Sequence, residues 1–459
     1  MQIRRIYMAA LLLASPVLLM MCKKPDAFRE ADYDPRLTGG ESTVFDVTSK
    51  AFGHSIPGLN SLDQHVHDLG DEQSDQTFVT APAPVNAGLG PIYNNVSCKS
   101  CHHNDGKGNP TTGLNTSSML VRLSLPGADE HGGPLPVPGF GLQLQDLAIF
   151  GKQPEAKVSI TYTDQHFIYP DGTITVMHKP GYQLINAYIP LPANVQTSPR
   201  MAPPFFGLGL LDLIPESTIT GFAARQASEN QGISGRPNYV YDPVTGRMML
   251  GRYGMKANTA TLLTQVAAAY QQDMGITNRV FPVESAFGQP QNEGRPTDPL
   301  LQDTILDATV FYIKTLAVPA RRNVIDPAVQ QGEVLFAQIG CASCHIPTVQ
   351  TGTDVRFKAL SNQRIHPYTD LLLHDMGVGL ADGRPDFLAN GSEWKTPALW
   401  GIGLFEKTNG IPYYLHDGRA RSLPEAILWH DGEAASSREQ YVKLSAFQRE
   451  HLIQFLKSL

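Results

Sequence analysis

Two copies of a Cys-x-x-Cys-His segment constrain this chain more than any other feature of its sequence. The first lies in VSCKSCHHNDGKG, residues 96–108, and the second in GCASCHIP, residues 340–347. Together they use four of the five cysteines in 459 residues. The same chemistry must therefore explain both copies.

Three chemistries use closely spaced thiols: a redox dithiol, a zinc site and covalent haem attachment. A redox dithiol needs no histidine directly after its second cysteine. Zinc ribbons place their cysteine pairs about 15 to 20 residues apart, whereas 239 residues separate Cys101 from Cys341. In c-type cytochromes the two thiols bind the haem covalently and the next imidazole is the proximal iron ligand. The motifs therefore predict two covalently bound haem c groups.

Each motif supplies three predicted site residues. The predicted haem-binding residues are Cys98, Cys101, His102, Cys341, Cys344 and His345. His102 and His345 are the predicted proximal iron ligands.

Composition limits the partners that the chain is expected to have. Hydrophobic residues make up 42% and charged residues 17% of the chain, which is typical of a globular protein. The formal net charge is −7 and no basic stripe is visible, so nucleic acid is not an expected partner.

The N-terminus is typical of an export signal. Arg4 and Arg5 precede an apolar run that ends at Met21 and is too short to span a bilayer comfortably. Cys22 falls where a bacterial lipoprotein is acylated, although Met21 is larger than the small residue usual before that cysteine. We expect a protein of the periplasm or outer cell envelope, anchored by a lipid on Cys22. An ordinary signal peptide with a free thiol is the alternative.

An internal repeat follows the two motifs. PPFFGLGLLD (203–212) and PALWGIGLFE (397–406) match in register, and the first copy lies about 49 residues farther from its motif than the second. Part of that surplus, KVSITYTDQHFIYPDGTITVMHK, alternates apolar and polar residues around Pro-Asp-Gly, which predicts an inserted β-hairpin. A weaker repeat pairs residues 253–270 with 414–431 and predicts a helix over about 259–274; two unrelated helices are the alternative.

The predicted fold is mainly α, with two tandem cytochrome c-like domains and a β-containing insertion in the first. DPAVQQGEVLFAQIG predicts a helix that enters the second haem motif, and LSAFQREHLIQFLKSL predicts a C-terminal helix. The predicted segments are a signal peptide, an N-terminal tether and extension, a first haem domain and a second haem domain, at residues 1–21, 22–75, 76–318 and 319–459.

From about residue 88 to the C-terminus the chain resembles a known family. DMGIT, YTDLLLHDMGVGL, EWKTPALWGIG and LHDGRARSLPEAILWHDGEA are similar to segments of bacterial di-haem oxidoreductases described as thiol oxidoreductases or peroxidases. These enzymes are similar to di-haem cytochrome c peroxidases and to the di-haem enzyme that matures methylamine dehydrogenase.

The resemblance implies a sixth ligand for the second haem iron. In the peroxidases this ligand lies fourteen residues after the histidine of a His-Asp-Gly segment, and counting from His416 gives His430. An iron held by two imidazoles transfers electrons but cannot bind substrate. The alternatives are a packed or solvent-facing His430 near a helix end, with Met376 as a rival ligand.

The weaker repeat places Ala269 in the slot of His430, so the first iron is expected to stay open. Asp273 lies one turn on, in a segment that resembles the Glu-Met-Gly of the peroxidases, and is the predicted catalytic proton carrier. The alternative is an acidic residue at a helix end that needs a compensating partner. Met255 stands where the family usually has Trp, so electron relay would need another route, for which Trp400 and Tyr414 are available.

Other polar residues carry weaker expectations. The HVHD segment, His65 to Asp68, is expected to be a solvated loop; the alternative is that it ligates a metal or reaches the first iron. Arg419 and Arg421 are expected either to pair with haem propionates or to be surface charges. His374 and His416 are expected to form hydrogen bonds near the second haem.

Together these features predict an exported, peroxidase-like di-haem c oxidoreductase. Its second haem would pass electrons from a redox partner protein to an open first haem that reduces peroxide or another oxidant. The alternative is an electron-transfer cytochrome without its own turnover that feeds a partner. Thiol oxidation is a third possibility, although haem attachment uses every motif cysteine.

Overall fold

The computed structural model describes residues 34–229, 231–294 and 300–459. The predicted signal peptide and Cys22 lie outside these residues, so both stay predictions. Within the described part of the chain, no helix is both long and apolar enough to cross a membrane. Residues 36–459, which contain both haem motifs, form one compact unit.

The main helices flank the haem motifs and the repeats. In chain order they are α1 Ser61–Asp75, α2 Cys98–Cys101, α3 Leu208–Asp212, α4 Glu216–Glu229, α5 Leu262–Met274, α6 Asp303–Lys314, α7 Pro327–Gln338, α8 Phe405–Asn409, α9 Leu423–Leu428, α10 Ala435–Lys443 and α11 Ala446–Ser458.

Polar caps define where the long helices begin. The Asn60 side chain accepts hydrogen bonds from two backbone amides at the start of α1. Asp326 caps α7, whose first residue is Pro327. A capping box of Ser445 and Gln448 opens α11. The structure thus confirms the predicted helix before the second motif and the predicted C-terminal helix.

The strands are mostly short. They are β1 Thr43–Val44, β2 Ile92–Tyr93, β3 Met119–Ala128, β4 Pro134–Leu135, β5 Gln143–Leu144, β6 Leu147–Ala148, β7 Lys157–Ile168, β8 Ile174–Ile185, β9 Gln196–Met201, β10 Tyr239–Asp242, β11 Arg247–Leu250, β12 Val318–Pro319, β13 Val349–Gln350, β14 Arg364–Ile365, β15 Leu373–Asp375 and β16 Glu393–Lys395. β3 pairs with β4, β5 and β9 in a four-stranded sheet, and the other strands form two-stranded sheets.

The prediction of a mainly α fold is wrong. The chain is about 30% helical and 20% strand, which makes it a mixed fold. Segments outside the predicted hairpin pair their backbone groups as short strands. Many of these pairs join segments far apart in sequence, such as β1 with β12, and local patterns do not reveal such pairs.

The predicted hairpin insertion is confirmed. β7 and β8 pair antiparallel from Lys157 opposite Ile185 to Ile168 opposite Ile174. The turn contains Gly172 at a φ of 82°, a left-handed backbone conformation that glycine adopts without a steric cost.

Two similar helix pairs support the two motifs. α1 packs on α6, and α7 packs on α11. A Cβ at Gly70 of α1 would lie 2.2 Å from the backbone oxygen of Ala308, and one at Gly332 of α7 would lie 2.0 Å from that of His451. The same close crossing therefore occurs before each motif. α1 falls within the segment predicted as an N-terminal extension, and the domain boundaries stay predictions.

The weaker repeat is confirmed in its register. Each copy begins with a tyrosine, Tyr253 or Tyr414, that forms a β-bridge to the residue six positions on. A hydroxyl then caps the following helix, Thr261 for α5 and Ser422 for α9. Because the same backbone features occur at equivalent positions, the alternative of two unrelated helices is excluded.

The stronger repeat joins the two halves of the molecule. A Cβ at Gly207 would lie 2.5 Å from the Trp400 ring, and a Cβ at Gly401 would lie 2.5 Å from the Phe206 ring. The two copies therefore pack against each other reciprocally, aromatic ring against glycine. Trp400 is held in this buried contact.

Candidate functional site

The first haem motif forms the short helix α2 and ends in a fixed imidazole. His102 Nδ1 donates a hydrogen bond to the backbone oxygen of Pro203 at 2.6 Å, and the His102 ring stacks on Phe205 at 3.9 Å. A carbonyl only accepts, so Nδ1 carries the proton and Nε2 keeps its lone pair. Burial lowers the pKa of His102 to about 4, so the ring is neutral at pH 7. A neutral imidazole held in one tautomer suits a metal ligand.

The second motif repeats this arrangement and adds another histidine. His345 Nδ1 donates to the backbone oxygen of Tyr368 at 3.0 Å, and burial lowers its pKa to about 4. His430 lies just after α9, and its Nδ1 donates to the backbone oxygen of Ala426 at 2.8 Å. Burial also lowers the pKa of His430. Both rings therefore keep a free Nε2, and His430 is half-buried rather than solvent-facing.

His345 and His430 line one cavity of about 260 Å³, which lies at the second motif and is called the second cavity. Cys341 and Cys344 line the same cavity, and so does Met376, the rival ligand. The structure thus brings the second motif and His430 together in a largely apolar chamber.

The motif thiols do not resemble a redox dithiol. Burial raises the pKa of Cys98 and that of Cys341 to about 12 each. Reactive dithiols have a lowered pKa, because the thiolate is the nucleophile. Buried thiols of this kind fit covalent use in a cofactor site better than thiol exchange.

His374 is committed to carboxylates beside the second motif. Its Nε2 lies 2.9 Å from Asp370 Oδ2 and its Nδ1 lies 2.7 Å from Glu433 Oε2. Burial alone would lower the pKa of His374, but these hydrogen bonds raise it to about 12. The ligand atoms of Cys344, Asp370 and His374 lie within 4.8 Å of one another, yet a protonated His374 cannot ligate a metal. The predicted hydrogen bonding of His374 is confirmed.

His416 stacks on Trp394, which was not among the predicted site residues. Its ring lies parallel to that of Trp394 at 3.7 Å, and the Lys256 ammonium lies 4.5 Å from the Trp394 ring centre. Trp394, Met255 and Tyr414 all line the second cavity. Trp394 is therefore the tryptophan that lies near Met255, the position at which the family usually has Trp. In the sequence, only the family-like segment EWKTPALWGIG pointed to Trp394.

Two lysines that the sequence did not predict line the same cavity, the buried Lys107 and the half-buried Lys395. Lys107 Nζ donates to the backbone oxygen of Leu415 at 2.9 Å, and Lys395 Nζ donates to that of Arg252 at 2.9 Å. Burial lowers their pKa values to about 7 and about 8. Among the residues that the structure describes, neither ammonium forms an ion pair with a carboxylate. Two cations with spare donors in an apolar chamber fit the carboxylate groups of a haem.

The arginines proposed for the propionates are engaged elsewhere. Arg419 forms hydrogen bonds with both carboxylate oxygens of Asp417, at 2.8 to 3.0 Å. Arg421 lies over the Tyr162 ring at 5.1 Å. Lys107 and Lys395 are better placed for an anionic group in the second cavity.

Asp273, the predicted proton carrier, lies against the first motif. Its Oδ1 accepts a hydrogen bond from Gln143 Nε2 at 2.7 Å. Burial raises the pKa of Asp273, and the Asp273 charge helps to raise the pKa of Cys98 and Cys101. The helix that carries Ala269 thus also brings a carboxylate to the motif thiols.

A buried guanidinium supports this carboxylate. Arg122 donates from Nη1 to the side-chain oxygen of Gln272, and its charge lowers the pKa of Asp273 against the effect of burial. Burial lowers the pKa of Arg122 to about 10. Its Nε has no hydrogen-bond partner within the described residues. Gln143 and Arg122 supply the partners that an acid in the last turn of a helix needs. No sequence motif marked either of them.

The HVHD segment is not a solvated loop. It lies in α1, where His65 and Asp68 are exposed and His67 is buried. His67 Nδ1 lies 2.8 Å from Thr315 Oγ1, and burial lowers its pKa. α1 has few apolar residues, so its helical pattern was weak in the sequence.

Two half-buried sites of this kind, each with a pair of thiols followed by a neutral imidazole, are the arrangement of a di-haem protein. The chain belongs to the family described as "di-haem oxidoreductase, putative peroxidase", whose model matches residues 33–459. The suspected family is thereby confirmed, and the chain is an oxidoreductase that uses haem.

Two solved structures show a distant likeness to the chain. Hydrazine synthase from Kuenenia stuttgartiensis is 14% identical with a TM-score of 0.36, over 99% of each chain. A MauG-like protein associated with microbial copper homeostasis is 17% identical with a TM-score of 0.27, over 56% of this chain and 88% of that one. At these scores neither likeness defines the fold. No curated protein matches the sequence.

Proposed function

We propose that this chain is an exported di-haem c oxidoreductase of the cytochrome c peroxidase type. In this proposal a redox partner protein supplies electrons at the second haem, and the first haem reduces peroxide or another small oxidant. Haem supplies electron transfer and, where its iron has a free position, a place for the oxidant to bind. Localisation in the periplasm or outer envelope, with a lipid on Cys22, is part of the proposal.

The cysteines and histidines of the two motifs have matching roles. Cys98 and Cys101 would hold the first haem by thioethers, and Cys341 and Cys344 the second. His102 and His345 would bind iron through the Nε2 atoms that their backbone contacts leave free.

The observation that carries the proposal is the difference between equivalent positions after α9 and in α5. His430 shares a cavity with His345, so two imidazoles would saturate the second iron and suit it to electron transfer. Ala269 occupies the equivalent position in α5. Alanine has no donor atom, so the first iron would keep a position for a small oxidant.

Asp273 would transfer a proton during peroxide cleavage. Its carboxylate can take the proton from the inner oxygen of the peroxide and deliver it to the leaving oxygen. Gln143 holds the carboxylate by a hydrogen bond, and the charge of the Arg122 guanidinium opposes the effect of burial on the pKa of Asp273.

The test replaces Ala269 with histidine, the residue at the equivalent position of the second site. Purified wild-type and Ala269→His proteins would be given peroxide and a reduced small-molecule electron donor. We expect wild type to consume peroxide and the variant, at equal haem content, to fall to the level of the buffer blank. Equal turnover by both proteins would contradict an open first site. No turnover by wild type would favour an electron-transfer protein that feeds a partner.

A further inference from the structure

The inserted hairpin belongs to the first half of the chain but docks on the second. Arg449 of α11 donates to Asp171 Oδ2 in the hairpin turn at 2.6 Å, and its guanidinium lies 3.9 Å from the Tyr169 ring centre. Tyr182 of β8 donates to Asp417 Oδ2 at 2.9 Å. The hairpin is therefore fixed along its length to segments around the second cavity.

A third attachment lies closest to His430. Glu425 of α9 is about 1% exposed. Its Oε1 accepts a hydrogen bond from the backbone amide of His178 at 2.6 Å and lies 3.0 Å from His178 Nδ1. Its Oε2 accepts one from the backbone amide of Arg421 at 2.8 Å. Trp429 Nε1 also donates to Oε1, at 3.5 Å. A buried carboxylate costs free energy unless such partners satisfy it, so His178, which supplies a backbone amide and a ring nitrogen, helps to keep Glu425 in place.

A short chain of contacts leads from Glu425 to His430. The Ser422 side chain caps α9 by accepting a hydrogen bond from the Glu425 amide, which fixes the start of this six-residue helix. The next residue, Ala426, offers the backbone oxygen that accepts from His430 Nδ1. A helix this short has little stability of its own, so the carbonyl that orients His430 depends on what holds α9.

The equivalent helix of the first half is held differently. α5 has thirteen residues, and its C-terminal end is tied by its own half, since Asn94 and Asn95 donate their backbone amides to the Asp273 backbone oxygen at 2.7 and 3.1 Å. The short α9 instead receives a side chain from the other half of the molecule.

We propose that His178 is a positioning residue for His430. Through Glu425 and α9, the hairpin of the first half sets how firmly His430 is held as the second ligand of the second haem. This inference rests on the proposed function, because it requires His430 to be that ligand.

The experiment measures how easily a competing ligand displaces His430. Ferric protein carrying both haems would be titrated with cyanide, and EPR would follow conversion of the low-spin signal of two imidazoles into that of imidazole and cyanide. The open first haem is expected to bind cyanide earlier, as loss of the high-spin signal. His178→Ala should lower the cyanide concentration for displacing His430 by roughly tenfold, as expected for a lost hydrogen bond to a charged group.

Two matched variants make the result specific. His178→Gln keeps a side-chain donor and should stay near the wild-type midpoint. His166→Ala removes an exposed histidine of the same hairpin and should leave the midpoint unchanged. These two variants and His178→Ala all keep the backbone amide of residue 178 that donates to Glu425. The hairpin should therefore still dock on the second half of the chain in each of them.

The outcomes separate this inference from the proposed function. Equal midpoints for wild type and His178→Ala would overturn the inference, and so would equal shifts for His178→Ala and His166→Ala. His430→Ala distinguishes the two levels. If that variant keeps the low-spin signal, the ligand assignment and the proposed function fail together; if it loses the signal while His178→Ala matches wild type, only the inference fails.

Discussion

The first and second haem sites share several backbone features and differ in the side chains that these features carry. Each has a helix crossing at glycine, a Cys-x-x-Cys-His motif and a capped helix that follows a tyrosine bridge. The capped helix presents Ala269 and Asp273 in the first half, and His430 follows it in the second. Under the proposed function, this difference in one donor side chain would make the second site an electron-transfer site and the first a reaction site.

The largest expected effect comes from removing either motif. Cys98→Ala with Cys101→Ala, and Cys341→Ala with Cys344→Ala, should each leave half of the covalently bound haem, because each motif attaches one group. Absorption of the alkaline pyridine complex after denaturation measures this loss. Both variants should lose peroxide turnover, the first for want of the reaction site and the second for want of the electron entry site. A variant that keeps full covalent haem would disprove thioether attachment at that motif.

Replacing the Asp273 carboxylate should have the next largest effect. Asp273→Asn should lower kcat for peroxide by about 10²-fold or more, as expected for loss of a general acid and base. The exposed Asp307, paired with Arg279 on the surface, offers the matched control Asp307→Asn, which should keep wild-type kcat. Equal activity for Asp273→Asn and wild type would leave Asp273 as a helix-end residue only.

The Asp273→Asn variant should also change how peroxide turnover depends on pH. Burial raises the pKa of Asp273, so its base form is lost at a higher pH than for an exposed aspartate, whose pKa is about 3.9. Turnover should therefore fall as the pH drops through this raised pKa, and Asp273→Asn should lack that acid limb. A profile with the same limb in both proteins would assign the limb to another group.

A smaller effect is expected from the lysines of the second cavity. At pH 6, below the pKa of about 7 of Lys107, Lys107→Gln removes a positive charge near the second haem. Loss of that charge favours the oxidised form and should lower the reduction potential by on the order of tens of millivolts. Lys443→Gln, an exposed residue of α10, is the matched control. A redox titration monitored by absorption measures both. An unchanged potential in Lys107→Gln would mean that Lys107 does not face a haem carboxylate.

The sequence predicted the features that depend on neighbouring residues or on an internal repeat. The motifs, the hairpin and the register that pairs Ala269 with His430 could be found because each is written in a few neighbouring residues. Trp394, Lys107 and Gln143 were missed because they reach their sites from loops and strands distant in sequence. The mixed fold was missed for the same reason, since β1 meets β12 only after the chain has folded.

The ferric EPR spectrum of the purified protein with both haems attached tests the proposed difference between the two sites most directly. We expect one high-spin signal from the first haem, near Ala269, and one low-spin signal from the second haem, between His345 and His430. His430→Ala should convert the low-spin signal to high-spin and leave the other unchanged. Two low-spin signals in wild type, or a low-spin signal that survives in His430→Ala, would contradict the proposed difference.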